Sequence, residues 1–257
     1  MAPPTRRDGR VDILLMTATI TPDNSPELAR TDPALRLADY AAALSFYLGQ
    51  LTGTGKGAID AIVFAENSDS DVSSLRRLAA ERGAADRVEF IANYGKHSYP
   101  GRDRSVGEFK LLDHAMATSR LIAAAGDRAV VWKTTGRYQV RNLRRMIRTA
   151  PARFDLYLDL RNRPIAWADL RFMAWTRAGY DRLLRGVADR LGVDPREPAM
   201  HAYILGLRDP GVAPRYRVEP LVDGVRGWDN RHYAKGAAQV KYWLRAASRR
   251  LLPSLWI

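Results

Sequence analysis

Short apolar runs alternate along this chain with longer stretches in which apolar residues recur at helical spacing, and that alternation predicts its elements. Val11 to Met16 (VDILLM) reads as a buried strand, followed by the polar loop Thr17 to Asp23. Pro33 to Leu51 is predicted helical, with Leu35, Ala38, Ala42 and Leu48 on one face. Ala58 to Ala65 (AIDAIVFA) is a second strand, Val72 to Arg82 a helix, and Arg87 to Ala92 (RVEFIA) a third strand. Phe109 to Ala125 reads as a helix leading into the apolar run Ala129 to Trp132. Strand and helix repeated with short connections point to a parallel sheet covered by helices. Further on, Phe154 to Leu160 and Ile165 to Thr176 read as strands and Tyr180 to Arg190 as a helix. Another helix opens at Asp194 to Pro198 and runs through Leu207. A turn-rich stretch reaches Tyr233, and a basic helix spans Ala237 to Leu252. The expected fold class is α/β: one domain with a mostly parallel, Rossmann-like sheet flanked by helices.

The fourth apolar run breaks into Lys133-Thr134-Thr135-Gly136-Arg137-Tyr138. Open α/β sheets bind ligands beyond the carboxyl ends of their central strands. There Lys133 and Arg137 offer charge to a phosphate, the hydroxyls offer donors, and Tyr138 offers a flat face. Composition alone fits a plain basic turn equally well. Thr17, Ala18 and Thr19 end the first strand in small residues that a nucleotide could lie against, which is also what strand ends look like. Arg36 and Tyr40, near the start of the first helix, are placed to reach that loop.

Other strings carry less. Thr52 to Gly57 contains Gly-Lys, but Gly57 follows the lysine and the order is helix, loop, strand, so a phosphate loop is rejected in favour of a helix end. Asp69 and Asp71 spell Asp-x-Asp, a metal-holding spacing, yet they precede a helix and capping explains them more simply. Asn93 to Glu108 is a long polar loop of a kind often functional. None of His97, His114, His201 and His232 has metal-ligand spacing with another, and the chain has no cysteine, which excludes disulfides and thiolate sites.

The formal charge of +13 suits nucleic acid, an anionic membrane surface or phosphorylated small molecules, and a genome-wide bias to arginine would also produce it. No apolar run reaches the length of a membrane-spanning helix. The basic N-terminus leads into a strand, not a signal-peptide core. A cytoplasmic protein is expected, with contact to the inner face of the membrane through the basic helix, unless that helix packs on the core.

Leu15 to Ile20, Asp39-Tyr40, Ala65 to Ser68, Gly107 to Lys110 and above all Lys133 to Tyr138 resemble bacterial GT-A-fold glycosyltransferases, particularly surface-polysaccharide enzymes with a Lys-x-Thr-Gly-Arg-Tyr signature. The matching strings lie between Val11 and Asn142, just over half the chain. The resemblance implies a nucleotide-sugar-binding half (11–142), an acceptor-side half (143–233) and a basic C-terminal helix (234–257). It implies transfer of a sugar from a nucleotide-diphosphate donor, such as a UDP-sugar, to a glycan or lipid-linked acceptor in lipopolysaccharide or capsule synthesis. Thr17, Ala18, Thr19, Arg36, Tyr40, Glu66, Asn67, Glu108, Lys133, Thr135, Gly136, Arg137 and Tyr138 would then line the donor site. An inverting transfer needs a carboxylate base, for which Glu197 is the first candidate and Asp169 the second. Stabilising an acidic helix start is an equal role for Glu197. Departing from the family pattern, no Asp-x-Asp lies near the crevice strand. Asp159 offers one carboxylate to Mg2+ or Mn2+, while clustered Lys and Arg can stabilise a diphosphate without metal.

Two rivals stand beside the transferase. A basic nucleic-acid-binding protein accounts for the charge, although the arginines are dispersed and no such motif is present. An inactive homologue serving as a partner subunit would keep the fold without turnover.

Overall fold

The computed structural model describes residues 9–23, 28–53, 57–92, 94, 104–191, 199–233 and 235–251. Its centre is a seven-stranded sheet built from β1 (Val11–Ala18), β2 (Ala61–Glu66), β3 (Val88–Ile91), β4 (Ala129–Thr135), β6 (Leu156–Arg161), β7 (Trp167–Thr176) and β8 (Val212–Ala213). Their spatial order is β3-β2-β1-β4-β7-β6-β8, and β5 (Gln139–Val140) pairs separately with β9 (Val222–Asp223). Within the seven-stranded sheet the pairing is parallel except at β7, which runs antiparallel to both β4 and β6, and the separate β5–β9 pair is antiparallel. The chain therefore has the expected α/β, mostly parallel, Rossmann-like sheet, with one reversed strand that the sequence pattern did not reveal.

The helices are α1 (Pro33–Leu48), α2 (Ser73–Glu81), α3 (Arg104–Thr118), α4 (Arg120–Ala125), α5 (Leu143–Thr149), α6 (Arg177–Leu183), α7 (Val187–Arg190), α8 (Ala199–Gly206) and α9 (Ala237–Leu251). Side-chain alternation along β1 feeds two cores. Ile13 and Leu15 pack with Phe109, Leu112, Met116 and Ile122 of α3 and α4, while Leu14 and Met16 pack with Tyr40, Leu44 and Tyr47 of α1. Both faces of the sheet are thus buried, which is why its strands read as continuous apolar runs.

Local chemistry sets the helix limits. Asp32 accepts hydrogen bonds from Ala34 N and Leu35 N at the start of α1, with Pro33 in its first turn. The single helix expected over 109–125 starts earlier, at Arg104, and breaks at Ser119. There the Glu89 carboxylate accepts from Arg120 N, Leu121 N and the Ser119 hydroxyl, so it starts α4 as a separate helix. The stretch expected as one helix over 180–190 likewise divides into α6 and α7, with Gly186 in a left-handed conformation between them. At α2 the N-cap position is Val72, and Asp71 accepts instead from Ser73 N (2.8 Å) and the Ser73 hydroxyl (2.7 Å).

Candidate functional site

From β1 the chain builds outward to β2 and β3, then returns to place β4 on the opposite side of β1. The carboxyl ends of β1 and β4 therefore mark the reversal of strand order, where open α/β sheets form their ligand crevice. Thr17 and Thr135 are in register at this point. Gly136 N donates to Thr17 O at 2.8 Å, and a Cβ at Gly136 would lie 2.8 Å from that oxygen and 3.3 Å from the Tyr40 ring. Only glycine lets the turn after β4 lie this close to β1.

Most residues named for the donor site hold the crevice in shape. Tyr40 is buried, and its hydroxyl accepts from Thr19 N at 2.9 Å. The buried Arg36 guanidinium donates to Thr19 O and Arg30 O. Burial first, and the neighbouring Arg137 cation after it, lower the Arg36 pKa from its ordinary value. Glu66, fully buried, accepts from Ile20 N (3.0 Å) and from Ser68 N (2.9 Å), fastening the loop after β1 to the loop after β2. Thr19 Oγ1 donates to Asn67 Oδ1 at 2.6 Å, and Asn67 N donates to Ala18 O. The buried Tyr138 is anchored through its carbonyl, which accepts from Tyr47 Oη at 2.8 Å. Burial raises the Tyr138 phenol above its usual range, so it stays neutral, and its oxygen accepts from Arg137.

Lys133 departs from its expected place. β4 continues through Thr135, so Lys133 lies inside the strand and not in the turn. Its side chain, fully buried, turns toward α3, where Nζ meets Glu108 Oε1 at 2.7 Å and donates to Leu170 O at 2.6 Å. Thr17 Oγ1 donates to the same Glu108 oxygen at 2.7 Å. The expected phosphate cation is a neutralised pair tying β1, β4, β7 and α3 together.

Arg137 takes the opposite character. Its Nη2 donates to Tyr138 Oη at 3.1 Å, but Nε and Nη1 are buried without a hydrogen-bond partner. Among the described residues no carboxylate pairs with Arg137. The loop carrying Gly224 and Gly227 lies against it: a Cβ on Gly227 would come 2.5 Å from Nη2. Tyr233 packs edge-on against Tyr138 at 5.1 Å, and the Arg171 guanidinium lies 4.6 Å from the Tyr233 ring. Buried donors without acceptors are costly, and an anion that reached them would satisfy both.

The carboxylates on β6 and β7 form a second cluster. Asp159 and Asp169 face each other across the two strands. Asp169 accepts from Arg171 Nε (2.8 Å) and Arg161 Nη2 (3.1 Å). Burial alone would raise its carboxyl, but the Arg171 and Arg161 guanidiniums overturn that and hold it well below the usual carboxylate range. So strongly ionised a group is a poor proton acceptor, which counts against Asp169 as the base. Asp159 Oδ2 accepts from Arg249 of α9 at 2.7 Å, and Arg249 also donates to Glu219 Oε2 at 2.6 Å. Burial, then Asp159, raise the Glu219 pKa against the pull of Arg249.

As a Mg2+ or Mn2+ site this arrangement does not fit. Arg161 and Arg249 both bond Oδ2 of Asp159, which leaves Oδ1 buried without a partner, but among the described residues no three His, Asp or Glu side chains assemble around a common point to complete a cation's shell. Asp69 and Asp71 are likewise outside any such group. Glu197 and the loop 95–103 lie outside the described residues.

Sequence reasoning missed Arg161, Arg249, Glu219, Tyr233 and the two glycines at 224 and 227. Only the glycine spacing in DGVRG hinted at a close approach. Arg249 reaches Asp159 across 90 positions and Glu219 across 30, so neither pair leaves a local trace.

No family model matches the chain, and no curated protein matches it. Among solved structures it is similar to 4-diphosphocytidyl-2C-methyl-D-erythritol synthase, at 14% identity over 91% of this chain and 99% of that one, with a TM-score of 0.38. Likeness at that level leaves the site's own geometry to carry the functional argument.

Proposed function

We infer that this protein transfers a sugar from a nucleotide-diphosphate donor bound at the ends of β1 and β4. The observation that carries the reading is Arg137, with two buried donors lacking acceptors at the topological switch point of a Rossmann-like sheet. A diphosphate supplies the oxygens those donors lack, and the clamped loop Thr17 to Thr19 gives the nucleotide a preshaped backbone to lie against. The acceptor would be a glycan or a lipid-linked sugar, as in surface-polysaccharide assembly.

In the transfer, an acceptor hydroxyl oxygen attacks the anomeric carbon as the bond from that carbon to the diphosphate oxygen breaks. The nucleoside diphosphate leaves with the electron pair, and Arg137 neutralises its growing charge. The hydroxyl proton passes to a carboxylate. Asp169 is held ionised by two arginines, so the proposal assigns this role to Glu197, seven residues beyond Arg190 at the end of α7. Charge stabilisation by arginine serves the leaving group without a metal step.

A donor screen following nucleotide release tests the reading. Release from a UDP- or GDP-sugar by the full chain, lost in Arg137→Ala, is the expected result. Absence of release from every donor, with no stabilisation by any nucleoside diphosphate, overturns it and favours a protein that uses the fold for another end.

A further inference from the structure

The C-terminal helix α9 is packed inside out. Val240, Trp243, Leu244, Ala247 and Leu251 follow the i, i+3, i+4, i+7, i+11 spacing that puts them on one stripe. An ordinary surface helix turns such a stripe to the core. Here Val240 is 59% exposed, Trp243 63%, Leu244 61% and Leu251 77%. The face that docks on the protein is the ionic one. Arg249, 4% exposed at its side chain, bonds Asp159, Glu219 and Tyr216 O, and Arg245 approaches Glu219 at 4.0 Å.

Cations frame the apolar stripe. Lys241 and Arg250 are exposed on α9, one to each side of it by helical position. Arg144, Arg145 and Arg148 are exposed on α5, and Arg145 and Arg250 are both near enough to Tyr242 of α9 to pull its phenol down against the burial that raises it. A second copy of this chain would bring these like charges together, which disfavours a dimer through this face. An anionic bilayer complements both features, with headgroups for the cations and the acyl boundary for Trp243 and Leu244.

We propose that the outward face of α9, with the exposed arginines of α5, seats the protein on an anionic lipid surface. Ion pairs from Arg249 to Asp159 at the end of β6 fix the helix to the sheet. The docked protein is therefore held through β6, which β7 separates from the crevice strand β4. The docking face stands on its own observations and does not depend on the transferase reading.

Co-sedimentation of the full chain with vesicles tests it, comparing phosphatidylcholine alone with phosphatidylcholine containing about one-third phosphatidylglycerol. Binding to the anionic vesicles only, weakened by salt, is expected. Trp243→Ser/Leu244→Ser should weaken that binding about tenfold or more, and Lys241→Glu/Arg250→Glu comparably. All four side chains are exposed, so melting temperature and circular dichroism should match the wild type. Three results would each overturn the proposal: no binding to anionic vesicles, equal binding by the Trp243/Leu244 variant, or a concentration-dependent dimer that this variant abolishes. Duplex DNA retained equally by wild type and the Trp243/Leu244 variant, with no vesicle binding, would reassign the cations to nucleic acid.

Discussion

Arg137 and Lys133 lie four positions apart and make opposite predictions. Arg137→Ala removes unpartnered donors, so folding should change little while kcat/KM for the donor falls about 30-fold, equivalent to ~2 kcal/mol of charge-assisted bonding. Arg137→Lys should recover only part of that, because an ammonium cannot reproduce the guanidinium's fixed fork of donors. Lys133→Met instead strands Glu108, whose side chain is 24% open to solvent. Its cost should be about 2–3 kcal/mol in chemical denaturation, discounted from the fully buried case, and Glu108→Gln in the same chain should restore much of it. Equal stability of Lys133→Met and wild type would contradict the pairing. Both cations were legible as residues of interest from their string, but not their roles. Strand alternation continued three residues past the apolar run and turned Lys133 toward α3, where Glu108 waited. Gly136 was the better guide, since its packing against Thr17 O allows no side chain.

At the scale of elements, the first four strands and their helices were readable in place, but the face read on α1 was wrong: Leu35, Ala38 and Ala42 are exposed, and the buried stripe runs through Arg36, Tyr40, Ala43, Leu44 and Tyr47. The reversal of β7 was not readable, because a strand buried on both faces looks the same in either direction. The break between α3 and α4 was hidden for a different reason: it is set by Glu89, thirty residues away from the Ser119 it accepts from. Glu89→Ala should fray α4 at a cost of about 1–2 kcal/mol, seen as faster amide exchange confined to 119–125. For α9 the sequence left two placements open, on the core or on a membrane, and the helix combines features of both. Arg245 and Arg249 pack inward and its apolar stripe faces out. Arg249→Ala would leave buried Asp159 with Arg161 alone, at 3.3 Å, and buried Glu219 with Arg245 alone, at 4.0 Å, at a cost of about 3 kcal/mol. Limited proteolysis should then cut ahead of α9 in that variant and spare the wild type.

Across the whole molecule, charge shapes both stability and binding. Asp169 titrates well below its unfolded range near 4 because two guanidiniums hold it, so its contribution is complete above that range. As pH falls toward the folded-state value, that contribution is lost, and the excess of +13 adds self-repulsion. The melting temperature should therefore drop steeply below about pH 4. Asp169→Asn should be less stable at neutral pH and show a flatter acid limb. A nucleoside diphosphate, binding only the folded chain, should raise the melting temperature by about 5 °C at a hundredfold excess over its Kd. The most direct measurement is calorimetric titration of UDP and GDP into the wild type and Arg137→Ala. The account predicts binding of at least one nucleotide to the wild type and a loss of about tenfold or more in the variant. Identical affinity in both proteins, or binding by neither, would contradict it.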